Sequence, residues 1–149
     1  MSLLEAVAAY LDSEAWPYRR LEDRPVLQLA YTGDHGTWNC YALAREEHDQ
    51  LIFYSVYPDK VAEERRAEVA EYLTRANYGL MIGNFEIDLE DGDVRYKTGI
   101  QLDGEDPTLV TVRSLVLPNV VVMDRYLPGL RAVAGSGLSA KAALSLVEG

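Results

Sequence analysis

The chain has 149 residues, 48% hydrophobic and 26% charged, proportions typical of a folded protein that buries about two-thirds of its unfolded surface. Its 14 basic and 24 acidic residues give a formal charge of −10, spread along the sequence with no compensating basic block. This argues against nucleic acid and anionic membrane as partners, since both are bound by Lys and Arg displacing counterions from phosphate.

In chain order, Leu3, Leu4, Val7, Ala8 and Leu11 fall on one helical face, and Ser2 with Glu5 forms a capping box. Glu5 and Asp12 occupy the stretch where a secretory leader would be basic and then apolar. Pro17 ends the helix, with Trp16 anchoring its end. A first strand is predicted over Val26–Thr32, a glycine-rich hairpin at Gly33–Gly36, and a second strand over Thr37–Arg45. Trp38, Cys40 and Ala42 alternate there with Asn39, Tyr41 and Leu43. A third strand follows at Leu51–Tyr57, making an antiparallel meander.

Asp59 is placed to cap a helix over Val61–Tyr78, with Gly79 as its left-handed stop. Phe85, Ile87 and Leu89 alternate with Glu86, Asp88 and Glu90. Asp91-Gly92 suits a two-residue type I′ turn, which would set Leu89 opposite Val94, Asp88 opposite Arg95, Ile87 opposite Tyr96, and Glu86 opposite Lys97. Pro107 suits the first turn of a helix capped by Asp106. Leu109–Leu117, rich in Val and Thr, is compatible with strand or helix, and Pro118 would kink or break a helix. Gly135-Ser136-Gly137 reads as a flexible joint before a tail or short helix over 138–148. A single domain spanning 1–149 is expected, with its core at about 16–132. The helices and the meander predict an α+β fold with an antiparallel sheet of about five strands.

The chemistry-bearing residues form no recognisable catalytic or ligand motif. The carboxylates of Glu86, Asp88, Glu90, Asp91 and Asp93 do not match a calcium loop: with Gly92 as the sixth position, Leu89 and Ile87 stand where ligands belong. Cys40, His35 and His48 are too few for structural zinc, and Cys40 shares its strand face with Trp38 and Ala42, the setting of an inert buried thiol. No apolar run reaches the roughly 18–20 residues of a membrane span; Leu115–Met123 is interrupted by Pro118 and Asn119. The lone cysteine suits a reducing, cytoplasmic setting. No cofactor or metal is expected. Ten tyrosines against two phenylalanines is the compositional excess, and Tyr41, Tyr54 and Tyr57 are the candidate protein-interaction residues.

The segments EAWPYRRLEDRPVLQLAY, WNCYALAREE, LIFYSVYP, LTRANYGLMIGNFEIDLEDGDVRYKTGI and VVVMDRYLPGL, in this order over Trp16–Ala132, resemble the YbjN family of bacterial proteins. Asn77-Tyr78-Gly79 to Gly83-Asn84-Phe85 and Met123–Pro128 are the most specific pieces. The resemblance implies a type III secretion chaperone-like fold of order α-β-β-β-α-β-β-α, with the ambiguous segment helical from about Pro107 to Leu127. Pro118 departs from the family pattern. The family's description as sensory transduction regulators carries no catalytic residues. The implied function is a non-catalytic protein-interaction module, a chaperone-like or regulatory adaptor, homodimeric and bound to a further protein partner. The alternative is a small-molecule sensor with a ligand pocket between helix and sheet.

Overall fold

The computed structural model describes residues Met1 to Gly149. The elements in order are α1 (Leu3–Ser13), β1 (Arg19–Arg20), β2 (Val26–Thr32), β3 (Thr37–Arg45), β4 (Gln50–Val56), α2 (Arg66–Gly79), β5 (Asn84–Ile87), β6 (Val94–Gln101), α3 (Leu109–Ser136) and α4 (Ala140–Glu148). The strands form one antiparallel sheet in the order β1-β2-β3-β4-β6-β5. The sixth strand, β1, is only two residues long, too short to show periodicity in sequence. Each of the four helices contributes to one cluster of 35 buried residues against the inner sheet face.

The capping box forms as anticipated. The Ser2 hydroxyl accepts the Glu5 N–H at 3.1 Å, and the Glu5 carboxylate accepts the Ser2 N–H at 2.9 Å. Trp16 does anchor the end of α1: its ring lies edge-on between Tyr10 and Tyr31, with centroids at 6.1 and 5.4 Å, and Tyr31 continues to Trp38 at 5.3 Å.

Helix α2 begins later than its periodicity suggests, and Asp59 does not cap it. Val61 is buried and donates its N–H to the Gly92 carbonyl at 2.9 Å, so the chain stays extended until a short 3-10 turn at Glu63–Arg65. Gly79 does not take the left-handed conformation. Asn77 organises this end instead: its Oδ1 accepts the Phe85 N–H at 2.7 Å and its Nδ2 donates to the Phe85 carbonyl at 3.1 Å, imitating a strand partner along β5. Positive φ falls at Gly83 (φ 73°), where a Cβ would collide with the Lys97 carbonyl and the Thr98 side chain.

The β5–β6 hairpin keeps the expected face but shifts by two residues. Ile87 opposes Val94, Glu86 opposes Arg95, Phe85 opposes Tyr96 and Asn84 opposes Lys97. A type I′ turn needs positive φ at both central residues, and only Gly92 (φ 80°) has it. The loop is longer: Asp88 donates its N–H to the Asp93 carbonyl, Gly92 donates to the Asp88 carbonyl, and the Asp88 carboxylate accepts the Glu90 N–H. A two-residue slip conserves side-chain parity, so Phe85 and Ile87 still face inward, while Leu89 falls in the loop and is 60% exposed.

The ambiguous segment is helical throughout. α3 runs for 28 residues through both Pro118 and Pro128, starting at Thr108, whose hydroxyl accepts the Thr111 N–H at 3.1 Å, rather than at Asp106. Pro118 leaves the carbonyl of Ser114 without its helical donor, but Ser114 is on the exposed side, open to water. Pro128 similarly frees the carbonyl of Asp124, and His35 Nδ1 donates to it at 3.1 Å. Gly135 and Ser136 lie inside the helix; Gly137, left-handed at φ 72°, ends it. α4 occupies the predicted C-terminal segment, capped by Ser139.

Candidate protein-interaction surface

Strand alternation and register fix which side chains share each face. On the inner face, Asn119 of α3 is fully buried and knits helix to sheet. Its Nδ2 donates to the carbonyls of Phe53 at 2.9 Å and Tyr96 at 3.2 Å and to Thr98 Oγ1 at 3.1 Å. Its Oδ1 accepts the Ser55 hydroxyl at 2.6 Å, and Ser55 Oγ accepts Trp38 Nε1–H at 2.9 Å. The interior between α3 and β4–β6 is therefore occupied by matched polar groups and core side chains. Cys40 belongs here, 0% exposed, its thiol pushed up to about 12 by burial.

The outer face has no helix over it. Register aligns Val26, Leu43, Ile52 and Gly99 in one row and Gln28, Tyr41, Tyr54 and Lys97 in the next. Ala30, Asn39, Val56, Arg95 and Glu86 form a third. The apolar members are half-buried or exposed, in contrast to the nearly inaccessible inner residues. Leu21, Arg24, Val26, Leu43, Tyr54 and Val56 line a shallow depression of about 360 Å³.

Charge is concentrated on the same face. Arg95 lies 4.2 Å above the Tyr54 ring and donates through Nε to Glu86 at 2.7 Å, while Lys97 donates to the other Glu86 oxygen at 2.8 Å. Burial alone would raise the Glu86 carboxyl, but the Lys97 and Arg95 hydrogen bonds outweigh it and hold it below its ordinary value. Arg19 donates to Gln28 at 2.7 Å, Arg45 to Gln50 at 3.2 Å, and Arg24 stands at the rim of the depression. On the strands Glu86 is the acid among these bases; Asp93 lines the depression, and Glu22 and Asp23 share the loop of Arg24. The charge is thus segregated in space, although it is dispersed in sequence.

Of the three tyrosines singled out, Tyr41 and Tyr54 are directly opposite each other on this face. Tyr57 is not with them: at 6% exposure it belongs to the core, with only its edge lining a 440 Å³ cleft beside Tyr41, Val56 and Lys60. The other tyrosines are mostly structural. Tyr72 donates to the Tyr126 carbonyl at 2.8 Å, and Tyr126 donates to Glu148 at 2.6 Å. The acidic residues of the 88–93 loop are engaged by the loop's own N–H groups and by Lys60, 3.2 Å from Asp91 and 3.3 Å from Asp93. Sequence reasoning missed Val26, Leu43, Ile52, Arg24, Arg95 and Lys97 as members of one surface. Their signal was present: β3 and β4 carry apolar side chains in both alternating phases, more than one covered face requires.

The Met123–Pro128 motif acquires a structural purpose. Asp124 accepts the N–H groups of Asp34 at 3.1 Å and His35 at 2.8 Å, and Arg131 donates to the His35 carbonyl at 2.7 Å, so α3 grips the β2–β3 turn. Gly33 and Gly36 leave no room for a Cβ against Asp124, Leu127 and Arg131.

A model of the YbjN family, described as "Putative bacterial sensory transduction regulator", matches residues 3–129. No curated protein sequence matches the chain. Among solved structures, YbjN from E. coli, described as a "putative transcription regulator", aligns with a TM-score of 0.67 at 12% identity, covering 91% of this chain and 97% of that one. The ExsC–ExsE complex provides a second match, with a TM-score of 0.53 at 14% identity, covering 91% of this chain and 99% of that one. At these identities the likeness is one of fold, and the fold is the type III secretion chaperone-like one. No helix here is long and apolar enough to cross a membrane.

Proposed function

The chain belongs to the YbjN family, and from that premise we propose that it is a non-catalytic protein-interaction module, a chaperone-like or regulatory adaptor acting in the cytoplasm as one domain. The observation that carries this reading is the uncovered outer sheet face. Tyr41, Leu43, Ile52, Tyr54 and Val56 form a continuous aromatic and aliphatic band there, flanked by basic side chains. Such a band, apolar at the centre and polar at the rim, has the anatomy of a protein interface. The neighbouring fold seen in the complex of ExsC with ExsE is consistent with it.

Capture from cell lysate on immobilised protein tests the proposal. A partner retained by the wild type and lost on Leu43→Asp or Tyr41→Asp supports the surface; unchanged retention by both folded variants refutes it. The competing sensor reading is tested by thermal-shift screening, because a ligand at 100 times its Kd stabilises by about 2.7 kcal/mol. That reading draws less support from the structure, since Asn119 and the core fill the space between α3 and the sheet.

A homodimer is the second part of the proposal. Val110 at 72% and Val121 at 56% exposure leave apolar surface on α3, away from the sheet. Light scattering at micromolar concentration measures this directly: a monomeric mass would remove the dimer and leave the docking surface standing.

A further inference from the structure

Resting on the docking surface just proposed, we infer the chemistry of its partner: an acidic polypeptide segment bearing bulky aliphatic or aromatic side chains, laid across the outer face of β2, β3, β4 and β6. Three observations lead there.

The first is charge complementarity. The chain carries 24 acidic and 14 basic residues, yet the outward positions of the strands carry Arg19, Arg45, Arg95 and Lys97 against Glu86, and the depression is lined by Arg24 and Arg95 against Asp93. Glu86 satisfies one edge of Arg95 and one proton of Lys97, leaving donors on both. Arg24 is exposed beside the apolar depression. A carboxylate approaching these donors is attracted locally, against the longer-range repulsion of a net charge of −10.

The second is the depression itself. At about 360 Å³, walled by Leu21, Val26, Leu43, Tyr54 and Val56, it is at the lower end of the range for ligand sites and suits one or two apolar side chains better than a whole cofactor.

The third is the exclusion of two other occupants. A second copy docked about a two-fold axis would bring this basic face against itself, because an isologous interface pairs a patch with its own copy. Single-stranded nucleic acid stacks successive bases on several open aromatic faces, and of the two tyrosine rings on this face Tyr54 is already covered on one side by Arg95 at 4.2 Å, leaving Tyr41 alone.

The test uses three fluorescein-labelled probes of equal length: a peptide alternating Glu with Leu and Phe, its Lys-for-Glu counterpart, and oligouridine. Affinity is read by anisotropy, and the footprint by amide shifts in a ¹⁵N-labelled sample. The acidic peptide is expected to bind more tightly than its basic counterpart and to shift amides of β3, β4 and β6. Arg24→Glu, at an exposed position, should weaken it about five- to tenfold, and added salt should weaken it further. Tighter binding of the basic peptide, lost on Tyr41→Ala, would overturn the acidic inference and leave the docking surface intact. Tighter binding of oligouridine would overturn it in favour of nucleic acid. If neither peptide shifts the sheet resonances, both the inference and the docking reading fall.

Discussion

Removing the Asn119 amide is the most informative perturbation of the scaffold that presents the outer face. Asn119→Ala deprives the Ser55 hydroxyl of an acceptor at 2.6 Å, the Phe53 carbonyl of a donor at 2.9 Å, and Thr98 and Tyr96 of weaker contacts. Thr98 keeps its own donation to the Leu115 carbonyl at 2.7 Å, and Ser55 still receives Trp38 Nε1–H. Two buried groups are then left short, each costing about 1–3 kcal/mol, and the vacated volume adds to them. Less about 0.5 kcal/mol for alanine's better helix propensity, the loss is about 3–5 kcal/mol. That is a large part of a total stability of about 5–15 kcal/mol, and it lowers Tm by roughly 6–20 °C at about 2–4 °C per kcal/mol.

Urea unfolding followed by tryptophan fluorescence is the assay, since Trp38 is 2% exposed and bonded into the network. Ser55→Ala closes a double-mutant cycle, whose coupling should lie at about 1–3 kcal/mol. A cost below about 1 kcal/mol together with zero coupling would refute the view that this network fixes α3 on the sheet.

Three further outcomes follow from single contacts. Gly129→Ala places a methyl against the Tyr72 hydroxyl and ring and should destabilise by about 1–3 kcal/mol; adding Tyr72→Phe should recover part of that, although alone it loses the bond to the Tyr126 carbonyl, and no recovery would refute the steric account. Asp124→Ala frees the Asp34 and His35 N–H groups, so hydrogen exchange at those two amides should accelerate with a stability loss of about 1 kcal/mol; unchanged exchange would show that Asp124 does not hold the turn. The depressed Glu86 carboxyl contributes stability that is present above its unfolded pKa of about 4.3 and is lost as pH falls through its lower folded value. Glu86→Gln should therefore flatten the acid limb of the stability profile, and an unaltered limb would exclude Glu86 as its source.

Local chemistry read true where a few adjacent residues decide the geometry. Ser2 and Glu5 carry their own hydrogen bonds, and the alternation of Trp38, Cys40 and Ala42 needed nothing beyond the strand period. Distant contacts overrode local preference elsewhere. Asp59 is a good cap, but Val61 pairs with Gly92, thirty-one positions away, and delays the helix. Asp91-Gly92 is a good two-residue turn, but Lys60 and Arg66 hold the wider loop, Arg66 donating to the carbonyls of Leu89 and Glu90. Pro118 looked like a helix breaker because its cost depends on whether Ser114 faces water, a property of the packed helix rather than of the dipeptide.

The outer face was hidden for a related reason. Net charge is a sum over the chain, and the acidic excess stays −10 however the bases are arranged. Arg19, Arg24, Arg45, Arg95 and Lys97 come from three strands and a loop, and only strand pairing places them on one face. What sequence did display was surplus hydrophobicity. Val26, Tyr41, Leu43, Ile52, Tyr54 and Val56 occupy the phase that a one-sided antiparallel sheet would fill with polar residues. The helices lie on the other side, which buries Leu27, Leu29, Trp38 and Phe53. Folding of the chain alone does not account for apolar side chains in that phase, because burying the core requires only the inner one. A partner seated over the outer phase does account for them, together with the arginines and the lysine at its rim.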